Sequence, residues 1–398
     1  MTTAVKGVFI VGAKRTPFGT FGGKFVKTSI SDLQAHAAKA ALVSANISPE
    51  LVDTVNIGCV GTNSSSDGGL IARHSQLKAG IPLEKPALHV NRLCGSGFQA
   101  IVNGAQDILT GVANISLTGG TENMSQFPFV VRNIRFGTTL GVPYQFEDSL
   151  WTGLTDSFCK LSMAQTAEKL GAQQNIARQE VDEFSLNSQK RWKDAQDGGR
   201  FKEEISPIQI KGKKGAESFD VDEHPRPKTT LEGLKGLPSL FKENGLVTAG
   251  TASGICDGAG AVVVASEEAV KQHNLKPLAR LVAYSAVGVD PSIMGIGPVP
   301  AIQNVLKAAG LDLSKIDLVE INEAFAAQTL SCAKVLKLDL EKLNVDGGAI
   351  ALGHPLAASG SRITAHLVYE LRRRKAKYGI GSACIGGGQG IALLIESL

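Results

Sequence analysis

Short apolar runs alternate with helical patterns near both ends of this 398-residue chain. Near the start, Val8–Val11 predicts a strand and Ser31–Ala45 predicts a helix, with Ser31 as its candidate N-cap. Near the end, Leu278–Val289 predicts a strand and Ile363–Leu371 a helix. Because parallel strands need long crossovers that are usually helical, this alternation predicts an α/β fold with mainly parallel sheets covered by helices.

The two ends of the chain also resemble each other. The run Val52–Ile57 parallels Ile316–Ile321, and the triplet Thr118–Gly120 parallels Ile385–Gly387. A weak repeat with a period above about 250 residues predicts two similar half-domains rather than a solenoid. Between them, residues 123–247 concentrate charged residues and prolines. This stretch predicts an inserted loop domain, and long insertions usually carry binding functions.

The composition argues against several classes of protein. Hydrophobic residues make up 43% of the chain and charged residues 20%, which suits packed cores and argues against disorder. A net charge of +4 without a dense basic stripe disfavours nucleic-acid binding. No apolar run is long enough to cross a bilayer. No two of the six cysteines lie within thirty residues of each other, so CxxC metal and redox patterns are absent and no metal site is expected.

Cys94 is the first residue with a specific chemical context. It lies between a predicted strand and the helical pattern Phe98–Leu109, so it stands near a helix N-terminus. The free N–H groups and the positive dipole end there favour a thiolate. Gly95 and Gly97 would let the backbone or a substrate approach closely. The context predicts that Cys94 is a nucleophile, and the competing interpretation is an inert buried thiol.

Three further residues stand at similar junctions. His354 lies between a glycine and a proline and is a candidate general base, because imidazole titrates near neutrality. Cys384 precedes Gly386–Gly388 and is a candidate acid/base beside free backbone N–H groups. Asn322 directly follows a predicted strand and is a candidate side-chain donor. The competing interpretations are a surface histidine, turn glycines and a turn asparagine.

Two other classes of protein share parts of this pattern. The Cys94-Gly95-Ser96 triplet is similar to papain-type proteases, but those place their histidine before their asparagine, and here Asn322 precedes His354. A non-enzymatic CoA- or lipid-binding module would not need two thiols and a histidine at glycine-rich junctions.

The segments around Cys94, Asn322, His354 and Cys384 follow one another in this order along the chain. In combination they resemble the thiolase family, and the resemblance covers essentially the whole chain, including Lys14–Gly19 near its start. The stretch Val131–Gly137 looks like the mitochondrial 3-ketoacyl-CoA branch of that family. The resemblance implies a five-layered αβαβα thiolase fold of two related half-domains plus an inserted loop domain. The implied domains are an N-terminal half at 1–122 completed by 248–275, a CoA-binding loop domain at 123–247 and a C-terminal half at 276–398.

The resemblance also implies a role for each site residue. Cys94 would be the acylated nucleophile, His354 its activating base, and Cys384 the acid/base at the α-carbon of the acetyl unit. Asn322, through a water, and His354 would form one oxyanion hole. The backbone N–H groups of Cys94 and Gly386 would form the other. The positions that match those holding coenzyme A are Arg226, Thr229 and Ser253.

The implied activity is cleavage of a 3-ketoacyl-CoA by CoA into acetyl-CoA and a shortened acyl-CoA through a Cys94 acyl-enzyme, in fatty-acid β-oxidation. An acetoacetyl-CoA (biosynthetic-type) thiolase and a non-catalytic acyl-CoA-binding relative remain alternatives. A 3-ketoacyl synthase of the same fold would typically carry a second histidine where Cys384 stands. Coenzyme A would be a substrate, no tightly bound cofactor is expected, and the family implies a homodimer or homotetramer.

Two positions depart from the family pattern, which usually has Gly at Ala357 and Asn at Thr251. Neither position is catalytic, and Ala357 would affect the rate rather than the type of reaction.

The first 31 residues hold five basic residues and no acidic one, as in organellar transit segments. Since Val5–Val11 also looks like a strand of the fold, we expect an uncleaved signal for the mitochondrial matrix, with the cytoplasm as the alternative.

Overall fold

The computed structural model describes residues 2–212 and 215–398. Every strand and helix predicted above is found, with ends displaced by a few residues. The strands in chain order are β1 Thr2–Ala4, β2 Val8–Arg15, β3 Gly19–Thr20, β4 Thr54–Gly58, β5 Ala87–Val90, β6 Ile115–Asn123, β7 Phe129–Val131, β8 Phe146–Asp148, β9 Thr155–Asp156, β10 Leu161–Ser162, β11 Ile208–Gly212, β12 Gly215–Phe219, β13 Cys256–Ser266, β14 Ala279–Gly288, β15 Leu318–Ile321, β16 Tyr378–Ile385 and β17 Gln389–Ser397.

The α-helices join the strands and cover them. They are α1 Ile30–Ala45, α2 Ile71–Ala79, α3 Ser96–Leu109, α4 Ser149–Gly153, α5 Met163–Gln173, α6 Arg178–Asp197, α7 Leu231–Lys235, α8 Glu267–Gln272, α9 Pro298–Ala309, α10 Ala326–Leu336, α11 Ala349–Leu352 and α12 Ser359–Arg374. The predicted N-cap of α1 is wrong by two residues, because Ser29 and not Ser31 accepts the hydrogen bond from the Asp32 N–H. No helix of residues 2–212 and 215–398 is long and apolar enough to cross a membrane.

Two groups of strands form the large sheet. The N-terminal group has the order β5-β4-β6-β13-β2, and the C-terminal group has the order β15-β16-β17-β14. Their junction is short, since β2 and β14 pair only at Ile10–Ala279 and Phe9–Arg280.

The prediction of mainly parallel sheets is wrong. Only β4 with β5, β4 with β6, and β15 with β16 run parallel among the described strands of the large sheet. The other pairs are antiparallel, and neither β13 nor β17 follows its neighbour through a single crossover helix. A three-glycine turn leads from β16 to β17, and the long insertion leads from β6 to β13.

The expected five layers are confirmed. Helices α3 and α12 contact each other and both groups of strands, so they form the central layer. Helices α1 and α2 cover the outer face of the N-terminal group, and α9 and α10 cover that of the C-terminal group. The predicted apolar stripe of α3 faces this core, since Phe98, Ile101 and Ala105 are fully buried, although Leu109 at its end is exposed.

The internal repeat is confirmed for one of its two matches. Strands β4 and β15 occupy equivalent places, each parallel to the strand that follows a central helix. The second match is out of register. Gly119 pairs with Ile57 and Ser382 with Ile321, so the equivalent of Gly119 is Ser382 rather than Gly386. Sequence similarity between glycine-rich triplets cannot detect this shift because it carries no information on pairing.

The insertion between β6 and β13 contains helices α4 to α7 and three two-stranded antiparallel units. The loop domain and its boundaries stay a prediction.

Candidate active site

One apolar cavity of about 270 Å³ brings together four of the sequence-predicted residues. Cys94, His354, Cys384 and Ser253 all line it. The rest of its wall is mainly apolar and includes Met124, Trp151, Leu154, Met163, Phe241, Met294 and Phe325. An apolar wall with a few polar groups is typical of a site that binds a small molecule and excludes water.

Cys94 lies on a tight turn that leads into α3. Leu93 has a φ of 45°, a left-handed conformation that is strained for a residue with a side chain. The hydroxyl of Ser96 accepts a hydrogen bond from the Arg92 N–H at 2.9 Å and donates to the Leu93 carbonyl at 2.6 Å. These two hydrogen bonds close the turn and hold Cys94 at the start of the helix.

The electrostatic environment of Cys94 does not favour a thiolate. Burial raises the pKa of its thiol to about 11, although a hydrogen bond from the Gly386 N–H opposes this rise. Burial therefore opposes the thiolate that the helix start favours. Because desolvation outweighs the N–H groups, the thiol keeps its proton at pH 7 and needs a base to remove it.

His354 is held by its backbone and by Ser359. Gly353 has a φ of 94°, and a Cβ there would lie 2.0 Å from the Cys256 sulfur, so only glycine fits. The His354 N–H donates to the Gly254 carbonyl at 2.8 Å. Its ring Nδ1 lies 2.6 Å from the Ser359 hydroxyl. Burial and a nearby arginine lower the pKa of His354 to about 3, so the imidazole is neutral and can accept a proton.

Asn322 follows β15 and is fully buried. Its Nδ2 lies 3.3 Å from Nε2 and 3.5 Å from Nδ1 of His354. Its Oδ1 is buried without a hydrogen-bond partner among the described residues, and such an atom is a place for a water or a ligand. The neighbouring Glu323 carboxylate accepts hydrogen bonds from Asn344, Ser188 and the Ile350 N–H, and so fixes this end of the strand.

Cys384 lies in β16, one residue from its end, with only 1% of its surface exposed. Burial, and next the neighbouring Cys94 thiol, raise its pKa well above the ordinary value for cysteine. The turn after it needs glycine, since Gly387 and Gly388 have positive φ. This turn presents the Gly386 N–H to the sulfur of Cys94. The two thiols are thus neighbours, and both are protonated in the free protein.

The three residues predicted to hold coenzyme A do not share one position. Ser253 lines the cavity, and its N–H donates to the Ala324 carbonyl at 3.0 Å. Thr229 and Arg226 share a turn outside the cavity wall, where the Thr229 hydroxyl donates to the Arg226 carbonyl at 2.7 Å. The Arg226 side chain is exposed. The pKa of His224 is lowered to about 4, mainly by burial of its ring and next by the positive charge of Arg226.

His224 connects this turn to the cavity, because its ring lies against Gly254 in the cavity wall.

Sequence reasoning missed Glu122, a fully buried residue near the end of β6. Its carboxylate accepts hydrogen bonds from the N–H groups of Val60 at 3.1 Å, Gly61 at 2.7 Å and Ala357 at 3.2 Å. Burial raises its pKa to about 7, against the effect of these hydrogen bonds. Glu122 therefore ties the loop after β4 to the turn after His354. The sequence signal that could have found Glu122 is an acidic residue within a predicted buried strand, because such residues are rarely buried without a specific partner.

Ala357 and Thr251, the two positions that depart from the family pattern, both lie in turns next to the cavity wall residues Leu356 and Ala252. Ala357 is fully buried in the turn after His354 and does not have a positive φ. The Thr251 hydroxyl donates to the Leu246 carbonyl at 2.8 Å and accepts from the Thr248 N–H at 2.8 Å. Neither side chain lines the cavity.

The cavity thus combines two protonated thiols, a neutral imidazole, a buried amide and a backbone N–H group directed at the first thiol. This set can perform nucleophilic acyl transfer with base activation and oxyanion stabilisation. The models of the thiolase N-terminal and C-terminal domains match residues 8–268 and 275–397. The chain belongs to the thiolase family.

Individual thiolases are similar over nearly the whole length. The chain is 60% identical to the human protein named 3-ketoacyl-CoA thiolase, mitochondrial, over 99% of each chain. It is 46% identical to the acetyl-CoA acetyltransferase of Syntrophomonas wolfei, over 98% of this chain and 99% of that protein. The crystal structure of human mitochondrial 3-ketoacyl-CoA thiolase superposes with a TM-score of 0.97 at 60% identity, over 99% of each chain.

A second structure of the human enzyme, in complex with CoA, also superposes with a TM-score of 0.97, at 59% identity over 100% of this chain and 99% of that chain. The thiolase fold expected from the sequence is confirmed.

Proposed function

We propose that this thiolase cleaves a 3-ketoacyl-CoA with CoA, releasing acetyl-CoA and an acyl-CoA shortened by two carbons, as a step of fatty-acid β-oxidation. The observation that carries the proposal is the meeting of Cys94, Cys384 and His354 in one apolar cavity. The relatives named 3-ketoacyl-CoA thiolase, at 58–60% identity, support the substrate class.

In the first half of the reaction, His354 takes the proton of the Cys94 thiol. The thiolate attacks the keto carbon of the substrate, and a tetrahedral oxyanion forms. The bond between the α-carbon and the keto carbon then breaks, and its electron pair becomes the enolate of acetyl-CoA. Cys384 protonates the α-carbon, so acetyl-CoA leaves and the shortened acyl group stays on the Cys94 sulfur. The raised pKa of Cys384 supports this role, because an acid must hold its proton until the enolate forms.

In the second half, the Cys384 thiolate left by the first half takes the proton of the CoA thiol, and the CoA sulfur attacks the acyl-enzyme. Cys94 leaves as the thiolate and takes back the proton that His354 holds. The N–H groups of Cys94 and Gly386 would stabilise the tetrahedral oxyanion, and the contact between Gly386 and the Cys94 sulfur supports this. His354 and Asn322, through a water, would stabilise the enolate oxygen, and the unpartnered Asn322 Oδ1 supports the water.

For coenzyme A, we propose that Ser253 contacts the part inside the cavity and that Arg226 and Thr229 contact the phosphorylated end outside it. Ser253 in the wall and the exposed Arg226 guanidinium support this division. Coenzyme A acts as a substrate in this scheme, and the chemistry requires no further cofactor.

The test combines purified protein, CoA and 3-ketoacyl-CoA substrates of several chain lengths. We expect CoA-dependent release of acetyl-CoA together with the shortened acyl-CoA. Turnover of acetoacetyl-CoA alone would favour the acetoacetyl-CoA thiolase, and binding without turnover would favour the non-catalytic acyl-CoA-binding relative.

We also propose that the protein forms a homodimer or homotetramer. The hairpin of β7 and β8 supports association, because Phe136 and Leu140 in its connection are 99% and 100% exposed. Light scattering on the purified protein tests the assembly, and a monomer at micromolar concentration would contradict it.

We further propose that the protein works in the mitochondrial matrix with its N-terminal segment retained. Strand β2 pairs with both β13 and β14, and the buried Arg15 at its end binds Asp222 and Glu204. Cleavage after β2 would remove this strand from the middle of the sheet. N-terminal sequencing of the protein from fractionated cells tests this, and a mature form that begins after Val11 or a cytoplasmic location would contradict it.

A further inference from the structure

The ring of His354 has two polar neighbours of different kinds. The Asn322 Nδ2 lies almost equally far from both ring nitrogens, at 3.3 Å and 3.5 Å. It therefore cannot select between them. The Ser359 hydroxyl lies 2.6 Å from Nδ1 and does distinguish the two nitrogens.

The Ser359 hydroxyl does not cap helix α12. Ser359 is the first residue of α12, and the residue that caps the helix is Ala358, without a side-chain hydrogen bond. Among the described residues, the hydroxyl of Ser359 makes no hydrogen bond except the one to His354. The backbone of His354 is already held by Gly353 and by the Gly254 carbonyl, so the hydroxyl adds control of the ring itself.

We propose that Ser359 is a positioning residue that holds His354 in the tautomer with its proton on Nδ1, so that Nε2 is free to take the proton of Cys94. In this arrangement Nδ1–H donates to the Ser359 oxygen. When the S–H bond of Cys94 breaks, its proton passes to Nε2 and the ring becomes an imidazolium. The hydrogen bond to Ser359 then carries charge and becomes stronger.

This stabilisation matters because the surroundings of His354 oppose a positive charge. Burial and the Arg362 guanidinium lower the pKa of the ring to about 3. A neutral acceptor at 2.6 Å from Nδ1 favours the charged ring without placing an anion beside the Cys94 thiolate. A histidine oriented by a third group is the usual arrangement for an activated nucleophile.

Ser361 provides a matched control for the substitution. It lies in the same first turn of α12 and is also buried, and its hydroxyl donates to the Ala358 carbonyl at 2.9 Å. Ser359→Ala and Ser361→Ala therefore each remove one buried hydroxyl with one hydrogen bond. We expect Ser359→Ala to lower kcat by about 10- to 100-fold, within the usual worth of general-base catalysis, with the KM for CoA unchanged.

We expect Ser359→Ala and Ser361→Ala to lower the thermal midpoint by similar amounts. Ser361→Ala should nevertheless leave kcat within about twofold of the native value, because the Ser361 hydroxyl does not contact the catalytic base. Ser359→Thr keeps a hydroxyl and should recover most of the rate. Equal losses of kcat in Ser359→Ala and Ser361→Ala would overturn the proposal.

A second measurement does not depend on activity. Nitrogen NMR of protein labelled at histidine, with His354 assigned through a His354→Asn variant, reports which ring nitrogen carries the proton. We expect Nδ1–H in the native protein and a shift toward Nε2–H in Ser359→Ala. Nε2–H in the native protein would overturn the proposal. The kinetic result rests on the proposed thiolysis. If the native protein has no such activity, that function fails, and the tautomer measurement still decides the role of Ser359.

Discussion

In the two halves of this thiolase, β4-β6-β13-β2 matches β15-β16-β17-β14, with β5 as an additional N-terminal strand, but the last two strands of each half are connected differently. In the N-terminal half, β6 leads into the long insertion before the chain returns in β13. In the C-terminal half, β16 turns directly into β17 through Gly386–Gly388. The short turn can place a backbone N–H against the Cys94 sulfur, whereas the long insertion contributes residues of the cavity wall such as Trp151 and Phe241.

The halves also divide the chemical groups. Cys94 precedes α3, and His354 precedes α12, which is the equivalent central helix. The C-terminal half adds Cys384, which is more deeply buried than Cys94. The duplicated topology thus brings one helix start from each half to a common cavity, where they perform different tasks. Four experiments test this division.

The largest effect is expected for Cys94→Ala, which removes the nucleophile. Acylation should be abolished because the variant has no sulfur at the start of α3. Mass spectrometry of the native protein incubated with a 3-ketoacyl-CoA in the absence of CoA should show an adduct on the peptide containing Cys94. An adduct only on Cys384, or none while turnover continues, would reverse the assignment of the two halves.

The second effect concerns the other thiol. Cys384→Ala should allow slow acylation of Cys94 by an acyl-CoA but should lower carbon–carbon cleavage by about 10²-fold or more, the usual worth of a positioned acid/base. Exchange of the acetyl-CoA α-protons in deuterated water should fall equally. Cys159→Ala is the control, because this thiol does not line the cavity. If exchange in Cys384→Ala continues at the native rate, His354 must perform both proton transfers.

The third effect concerns a buried charge network that joins the halves. Glu204 of the insertion binds Arg15 of β2 at 2.8 Å and His366 of α12 at 2.8 Å. Although burial opposes the charge, Glu204 and other acids raise the pKa of His366 to about 9. A raised histidine pKa stabilises the folded state fully below pH 6.5, and this stability is lost as the pH rises through 9.

Glu204, the partner of His366, makes a contribution to stability with the opposite pH dependence. Burial opposes ionisation, but His366 and Arg15 lower the pKa of Glu204 to about 2, so its contribution is complete above pH 4.5 and is lost as the pH falls through 2. Denaturant titrations should show the free energy of unfolding falling by on the order of 2 kcal/mol between pH 6.5 and 9. His366→Gln should remove this dependence, and His273→Gln, at the C-terminal end of α8 and outside this network, should retain it. An unchanged pH dependence in His366→Gln would contradict the link between the halves.

The smallest effect is expected for Ala357→Gly, which restores the usual residue of the family. Ala357 does not have a positive φ, so its turn does not require glycine. Its N–H bond to Glu122 is kept in the variant. We expect kcat to change by less than about twofold and the stability to fall by about 0.5–1 kcal/mol from the greater chain entropy of glycine. A tenfold change in kcat would show that the turn after His354 controls the rate.

The sequence by itself determined the elements and the chemical inventory. An apolar stripe depends only on residue spacing, so the sequence predicts helix α3 and places Cys94 at its start. Cys94, His354 and Cys384, which the sequence marked at separate junctions, meet in one cavity.

Only the tertiary structure decided the directions of the strands, the register of the repeat and the charge states of the site. The Cys94 thiol is protonated because burial outweighs the local N–H groups, and burial arises from segments distant along the chain. Glu122 and Ser359 likewise acquire their roles through contacts with Ala357 and His354. Local patterns reflect spacing along the chain, whereas a pKa and a hydrogen-bond partner depend on which distant groups exclude water from the site.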